Sequence, residues 1–381
     1  MKLNSYFFQI FSIANFFLNV FIVFLFLFFG YHDIAAQGFV AISISNIFTY
    51  GFSGNARNIY LGSKTILSLK KIIFFRLLIS VIAALSSSII IYFFLSKPNF
   101  FYLFSILILT VSSFIFELLI ARTEKNDLPN KYYALNLFLF FVNSIILIYF
   151  QLLNFFVIYV FIYVFINCFL FKNFFKNLFF TDIKFFVNLQ RNLNIGIYSS
   201  FLKSISNLIW RYSAFILLGN SKSAILFMAF SLGSFFGTLF DISYGALFLK
   251  KLKNKIHLFL NSFYLAYVFL TYLLVLFFKK FSTFTVAENN FLYSATLFSL
   301  FGSYIIMFAL KLRQKFFEIQ EMQNFCFKVD IVIYFFNSLI IPIIFLINKE
   351  LVILAYLISS TFFYLMYKII VHNDFKKMYK K

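Results

Sequence analysis

Almost the whole of this 381-residue chain is too apolar to face water, and its short polar gaps alternate between rich and poor in lysine and arginine. About twelve apolar stretches, each near the ~20 residues that carry a helix across a bilayer core, follow one another. Lysine and arginine are retained on the cytoplasmic side of a membrane. One pattern therefore sets the class, the crossings and the orientation. The spans read from it are 6–29, 36–54, 72–95, 99–121, 132–151, 154–172, 194–218, 222–249, 258–278, 287–310, 328–347 and 350–370. All are expected to be helical, because a membrane barrel would alternate every second residue in strands of about ten.

With the N-terminus placed inside, 26 of the 33 basic residues fall in Lys2, the inner loops and the tail, and five in the outer loops. Arg76 and Arg313 are counted here with the inner loops. The five outer cations are Lys97, Lys222, Lys279, Lys280 and Lys349; Lys203 and Arg211 remain inside the membrane. An even number of spans puts both termini in the cytoplasm. The basic start followed by a long apolar run, with no small-residue cleavage site, reads as a first membrane helix instead of a removable signal.

Composition fits this class. Hydrophobic residues make up 63% and charged residues 12%, outside the range of soluble domains. The net charge of +21 lies in short loops, so it reads as the positive-inside rule and attraction to anionic headgroups, with no nucleic-acid partner. The 67 phenylalanines are spread over nearly every span and read as compositional bias. Cys168 and Cys326 form no CxxC, and His32, His257 and His372 are isolated, so neither a disulfide nor a metal site is expected. His32 and Asp33 read as an interfacial pair.

The longest gap, 172–193, lies mid-chain. It divides the sequence into an N-terminal six-helix bundle over 1–171, a cytoplasmic linker over 172–193, a C-terminal six-helix bundle over 194–370 and a basic tail over 371–381. That is a common layout for transporters built from repeats. A weak internal echo supports it: Ser43, Asn46, Tyr50, Ser53 and Arg57 in the second span share a spacing with Ser231, Ser234, Thr238, Asp241 and Gly245 in the eighth. At i, i+3, i+7, i+10 and i+14, each set forms one stripe of a helix. The expected fold is an all-α integral membrane protein of about twelve transmembrane helices in two bundles with pseudo-two-fold symmetry.

Lipid cannot satisfy polar side chains, so intramembrane polar residues face a protein interior or a wet cavity. The seventh span is richest. Ser200, Ser204, Asn207 and Arg211 share a face, with Ser199, Lys203, Ser206 and Trp210 beside them. The eighth adds Ser234, Thr238 and Asp241; the first adds Asn15 and Asn19; the fourth adds Thr110, Ser113 and Glu117. For the serines, and for the small-residue pair Gly233 and Gly237, the alternative is helix packing. The charges are costlier, at roughly 2.5–3.5 kcal/mol each near the bilayer centre. Lys203 and Asp241 sit at matching depths and are expected to pair, leaving Arg211 free for an anionic ligand; the competing reading is a static network of all three. Glu117 lies near the cytoplasmic boundary, where snorkelling competes with function, and Asp330 is discounted as nearer still. The planar fork of an arginine suits phosphate, and the hydroxyls and amides suit sugars.

The chain has no Walker A sequence, HExxH, GxSxG or metal cluster, and no outer loop large enough for a catalytic domain. No cofactor is expected.

The stretch TYGFSGNARNIYLGSKTILSLKKIIFFRLLIS resembles the loop after the second helix of Wzx-type O-antigen and capsule flippases. The stretch NIGIYSSFLKSISNLIWRYSAFILLGNSKSAILFMAFSLGSFFGTLFDISYGALFLKKL is similar to their seventh and eighth helices. These proteins belong to the multidrug/oligosaccharidyl-lipid/polysaccharide exporter superfamily. Length, span count and the six-plus-six division fit along the whole chain. The resemblance implies a bacterial inner-membrane flippase of undecaprenyl-diphosphate-linked oligosaccharide, with two MATE-like bundles around a cavity lined by helices 1, 2, 7 and 8. It implies cavity cations for the diphosphate, here Lys203 and Arg211, and partners among membrane lipids, a polysaccharide polymerase and a chain-length regulator. Unlike some relatives, the first helix has no basic residue in its interior. The alternatives are a membrane polysaccharide polymerase or ligase with small loops, and a drug or cation exporter of the same superfamily. The shortage of central carboxylates argues against the exporter. A major-facilitator fold is a further alternative, but the loop after span two lacks that group's acidic and multi-basic signature.

Overall fold

The computed structural model describes residues 3–51, 69–95, 98–125, 131–172, 183–244, 256–281, 284–317 and 322–371. Among them the chain is helical, with no strand. Twelve α-helices run as α1 Leu3–Phe28, α2 His32–Phe48, α3 Leu69–Phe94, α4 Phe100–Lys125, α5 Lys131–Tyr149, α6 Leu153–Leu170, α7 Ile183–Leu218, α8 Asn220–Tyr244, α9 Ile256–Phe281, α10 Val286–Phe317, α11 Gln323–Ile347 and α12 Ala355–Leu365. A 3-10 turn, Lys349–Leu354, precedes α12, and a π-helical turn, Met366–Val371, follows it.

Seven segments of the described residues are long and apolar enough to cross a membrane: Ile72–Phe94, Phe100–Arg122, Lys131–Tyr149, Leu153–Leu170, Val286–Arg313, Asn324–Ile347 and Lys349–Ile369. The chain is thus an all-α, multi-pass membrane protein in composition and form. The polar helix α7 and the 17-residue α2 are not among the seven.

Three turns are closed by residues in the left-handed region. Gly30, at φ 86°, ends α1 in a Schellman motif: the Tyr31 amide donates to the Phe26 carbonyl at 2.8 Å, and the Tyr31 ring meets that of Phe26. Gln151, at φ 59°, makes the same turn between α5 and α6, with the Leu152 amide donating to the Leu147 carbonyl. Gly219, at φ 76°, is the only residue between α7 and α8. In the sequence, all three fall in gaps read as outer loops. Pro98 stands between α3 and α4, where its missing N–H breaks no helical bond; Pro342 lies inside α11.

The chain divides into two compact units, Met1–Ser204 and Ile205–Lys381. In the first, α4 is central and packs on α1, α2, α3 and α6. Its buried face includes Ile106, Leu107, Phe114 and Leu118, and α2 is buried almost all round from Ile34 to Ser45. In the second, α10 is central and packs on α8, α9, α11 and α12. Gly233 of α8 lies so close to α10 that a Cβ there would collide with Ser299, whose hydroxyl donates to the Ala229 carbonyl at 2.8 Å. Gly233 thus serves close packing. Helices α3, α5, α6, α9 and α11 each leave large apolar side chains exposed, such as Leu85, Phe138, Phe165, Phe269 and Phe335.

Three expectations change in detail. The seventh helix begins at Ile183 instead of 194, so the described part of the expected linker, 183–193, is helical. The second ends at Phe48, where the Thr49 hydroxyl and amide both donate to the Ser45 carbonyl. Tyr50 therefore lies in a turn instead of on a helical stripe; Ser53, Arg57 and Gly245 are outside the described residues. The last span is a 3-10, α and π sequence, not one continuous α-helix.

Candidate functional site

Helix α7 carries the densest set of polar positions. Ser204 is buried, and its hydroxyl donates to the Ser200 carbonyl one turn back at 2.9 Å. Ser206 is buried and donates to the Tyr334 carbonyl of α11 at 2.8 Å. Trp210 lies against the Phe227 and Phe230 rings of α8, at 5.6 and 5.1 Å between centroids. Ser206 and Trp210 thus attach the second half of α7 to its unit. Lys203 and Asn207 are exposed, and Ser200 is half-buried.

Arg211 is half-buried and already engaged by other groups of the protein. The expectation that it stands free is therefore not met. Thr238 and Asp241 belong to α8, but their side chains lie outside the described residues, and with them the expected Lys203–Asp241 pair. Ser234 is half-buried; its hydroxyl donates to the Ser231 carbonyl at 3.4 Å. Asn46 is half-buried near the end of α2, where its carbonyl accepts from the Gly51 amide at 2.9 Å.

Asn15 is only 2% exposed. Its amide nitrogen donates to the Ser113 carbonyl of α4 at 3.0 Å, and its oxygen accepts from the Tyr133 hydroxyl of α5 at 2.7 Å. Asn19 donates to the Ser113 hydroxyl at 3.3 Å. The polar faces of α1 and α4 therefore meet each other inside one unit. Asn136 of α5 and Asn167 of α6 add a further interhelical bond at 2.9 Å.

Glu117 forms an ion pair. Its carboxylate lies 2.8 Å from Arg76 of α3, whose guanidinium also donates to the Phe114 carbonyl at 2.5 Å and lies over the Phe114 ring at 4.2 Å. Arg76 had been counted as a loop cation; it is a buried helical residue. Arg313 corrects the same count: it lies within α10 and grips the fully buried Asp330 of α11. Both arginines stand within a few residues of apolar runs, and a candidate carboxylate follows each in the next span; that was the available signal.

Cys168 is exposed, Cys326 is buried, and both are free. Among the described residues no group of three or more His, Cys, Asp or Glu side chains could hold a metal ion. Comparison of the chain with protein families, with curated proteins and with solved structures finds no match.

Proposed function

We propose that the chain is a flippase moving undecaprenyl-diphosphate-linked oligosaccharide, an O-antigen or capsule repeat unit, across a bacterial inner membrane by alternating access. The observation that carries this reading is α7: Lys203, exposed, and Arg211, half-buried, stand eight residues apart on one helix among hydroxyl and amide groups. That spacing is about 12 Å along a helix axis, and the intervening turns carry Ser204 and Asn207. Two cations at positions that the sequence reading sets within the membrane would be costly unless they met negative charge. A diphosphate supplies it and has oxygens for both an ammonium and a guanidinium.

In this reading Lys203 and Arg211 hold the diphosphate. Ser200, Ser204, Asn207, Ser234, Thr238 and Asn46 offer hydrogen bonds to the glycan, and Trp210 offers an aromatic face. The polyprenyl chain stays in lipid, beside exposed apolar faces like those of α3 and α5. Asp241 is the candidate for charge pairing or ion coupling. Each unit has its own central helix and its own core, which supports rigid-body motion of the kind alternating access uses. The pseudo-two-fold arrangement of two six-helix bundles, cytoplasmic termini and partnership with a polymerase and a chain-length regulator belong to the same proposal.

The test replaces Arg211. Arg211→Ala is expected to abolish glycan export with the protein still inserted, and Arg211→Lys to retain part of it. Normal surface glycan in Arg211→Ala would remove the residue from the mechanism. Single repeat units on the surface acceptor, with normal translocation, would move the chain to the polymerase class.

A further inference from the structure

Asp330 is a fully buried carboxylate that transport as proposed does not use. Arg313 of α10 holds it with a fork: Nε lies 3.1 and 3.0 Å from the two carboxylate oxygens and Nη2 lies 2.7 Å from Oδ2. The third partner comes from the end of the chain. The Tyr367 hydroxyl donates to Asp330 Oδ1 at 2.6 Å and lies 3.4 Å from the Cys326 carbonyl. Around these groups is an apolar shell of Ala309, Phe316, Met322, Val329, Ile333 and Phe363, all buried. Charge-assisted hydrogen bonds strengthen in such surroundings, and a carboxylate left without its donors there is costly.

Tyr367 stands in the π-helical turn Met366–Val371 that follows α12. A π turn is rare and concentrates at functional sites. Its wider register rotates the following side chains relative to an α-helical continuation. Here the turn places a fully buried tyrosine ring 5.3 Å from that of Phe363, with its hydroxyl on Asp330.

We propose that Arg313, Asp330 and Tyr367 form a latch that pins the last span of the chain to α10 and α11, and that the π turn is the element that closes it. Ion pair and phenol then act together: Arg313 joins two consecutive helices, and Tyr367 adds the third. The latch does not depend on what the chain transports.

Cys326 lies under the latch and is buried, and the only other cysteine is Cys168. In a Cys168→Ser background, N-ethylmaleimide labelling of the solubilised full chain therefore reports opening at Cys326. Labelling is expected to be slow in that parent and about tenfold faster with Tyr367→Phe, which keeps the ring and removes one bond to a charged group. Arg313→Lys, which keeps the charge and loses the fork, is expected to do the same. Tyr264→Phe removes the 2.8 Å bond to the Leu300 carbonyl elsewhere in the same unit and is expected to leave the rate within twofold. Labelling of Tyr367→Phe within twofold of the parent, or an equal rise with Tyr264→Phe, would overturn the latch.

Discussion

Arg76 and Glu117 meet at 2.8 Å between α3 and α4, with the Arg76 side chain 3% exposed and that of Glu117 21%. Removing one partner of such a pair leaves a charge stranded among apolar groups, which costs up to about 3–5 kcal/mol, less where one partner reaches solvent. Glu117→Ala is therefore expected to lower the melting temperature of the solubilised protein markedly. The double variant Arg76→Met with Glu117→Leu is expected to recover most of the loss. A melting temperature unchanged in Glu117→Ala would mean that the pair does not hold the two helices.

Gly233 packs α8 against α10 with no room for a side chain. Overpacking typically costs about 1–3 kcal/mol. Gly233→Val is expected to destabilise the fold by that order. Thermal unfolding followed by circular dichroism measures it, and a melting temperature equal to the parent's would show that the helices part easily there.

Asn15 was expected to line a cavity, and its side chain is spent on Ser113 and Tyr133. Tyr133→Phe deletes one of these bonds, worth about 0.6–1 kcal/mol between membrane helices. A small loss of stability with export retained is expected. Loss of export at normal protein level would return Asn15 to the transport path.

The closely turned ends at Gly30, Gln151 and Gly219 fall in gaps that the charge pattern assigns to the outside. Alkaline phosphatase fused after each of these residues is expected to be active, as an enzyme that matures outside the cytoplasm. Fusions after Arg122 and Lys253 are expected to be inactive. The opposite pattern would invert the topology.

Much of the helical layout is legible in the sequence, because about twenty apolar residues in a row admit few alternatives. What escaped has physical causes. The first eleven residues of α7 include Lys184, Gln190 and Arg191, so the apolar run stops at 194, but a helix does not need apolar residues once it leaves lipid. The π turn at Met366 depends on where Tyr367 finds its partner, which no local pattern records. Arg313 lies just past the apolar run that ends at 310, and Arg76, although inside the span 72–95, stands near its start, so both were counted with the loop cations. Their burial is made tolerable by Glu117 and Asp330, 41 and 17 residues away. The stripe of Thr110, Ser113 and Glu117 on α4 was visible as one face, but its partners on α1 and α3 were not. Arg211 shows the same limit: its depth was legible and its engagement within the protein was not.

The most direct measurement of the central claim is the leaflet that holds the lipid-linked glycan in a strain lacking this protein. Right-side-out and inverted vesicles are treated with a membrane-impermeant sugar-modifying reagent, and the polyprenyl-linked glycans are then extracted. Intact units protected in right-side-out vesicles and modified in inverted ones are expected, with restoration by the parent chain and not by Arg211→Ala. Units reaching the periplasmic leaflet normally in the deletion strain would contradict a flippase.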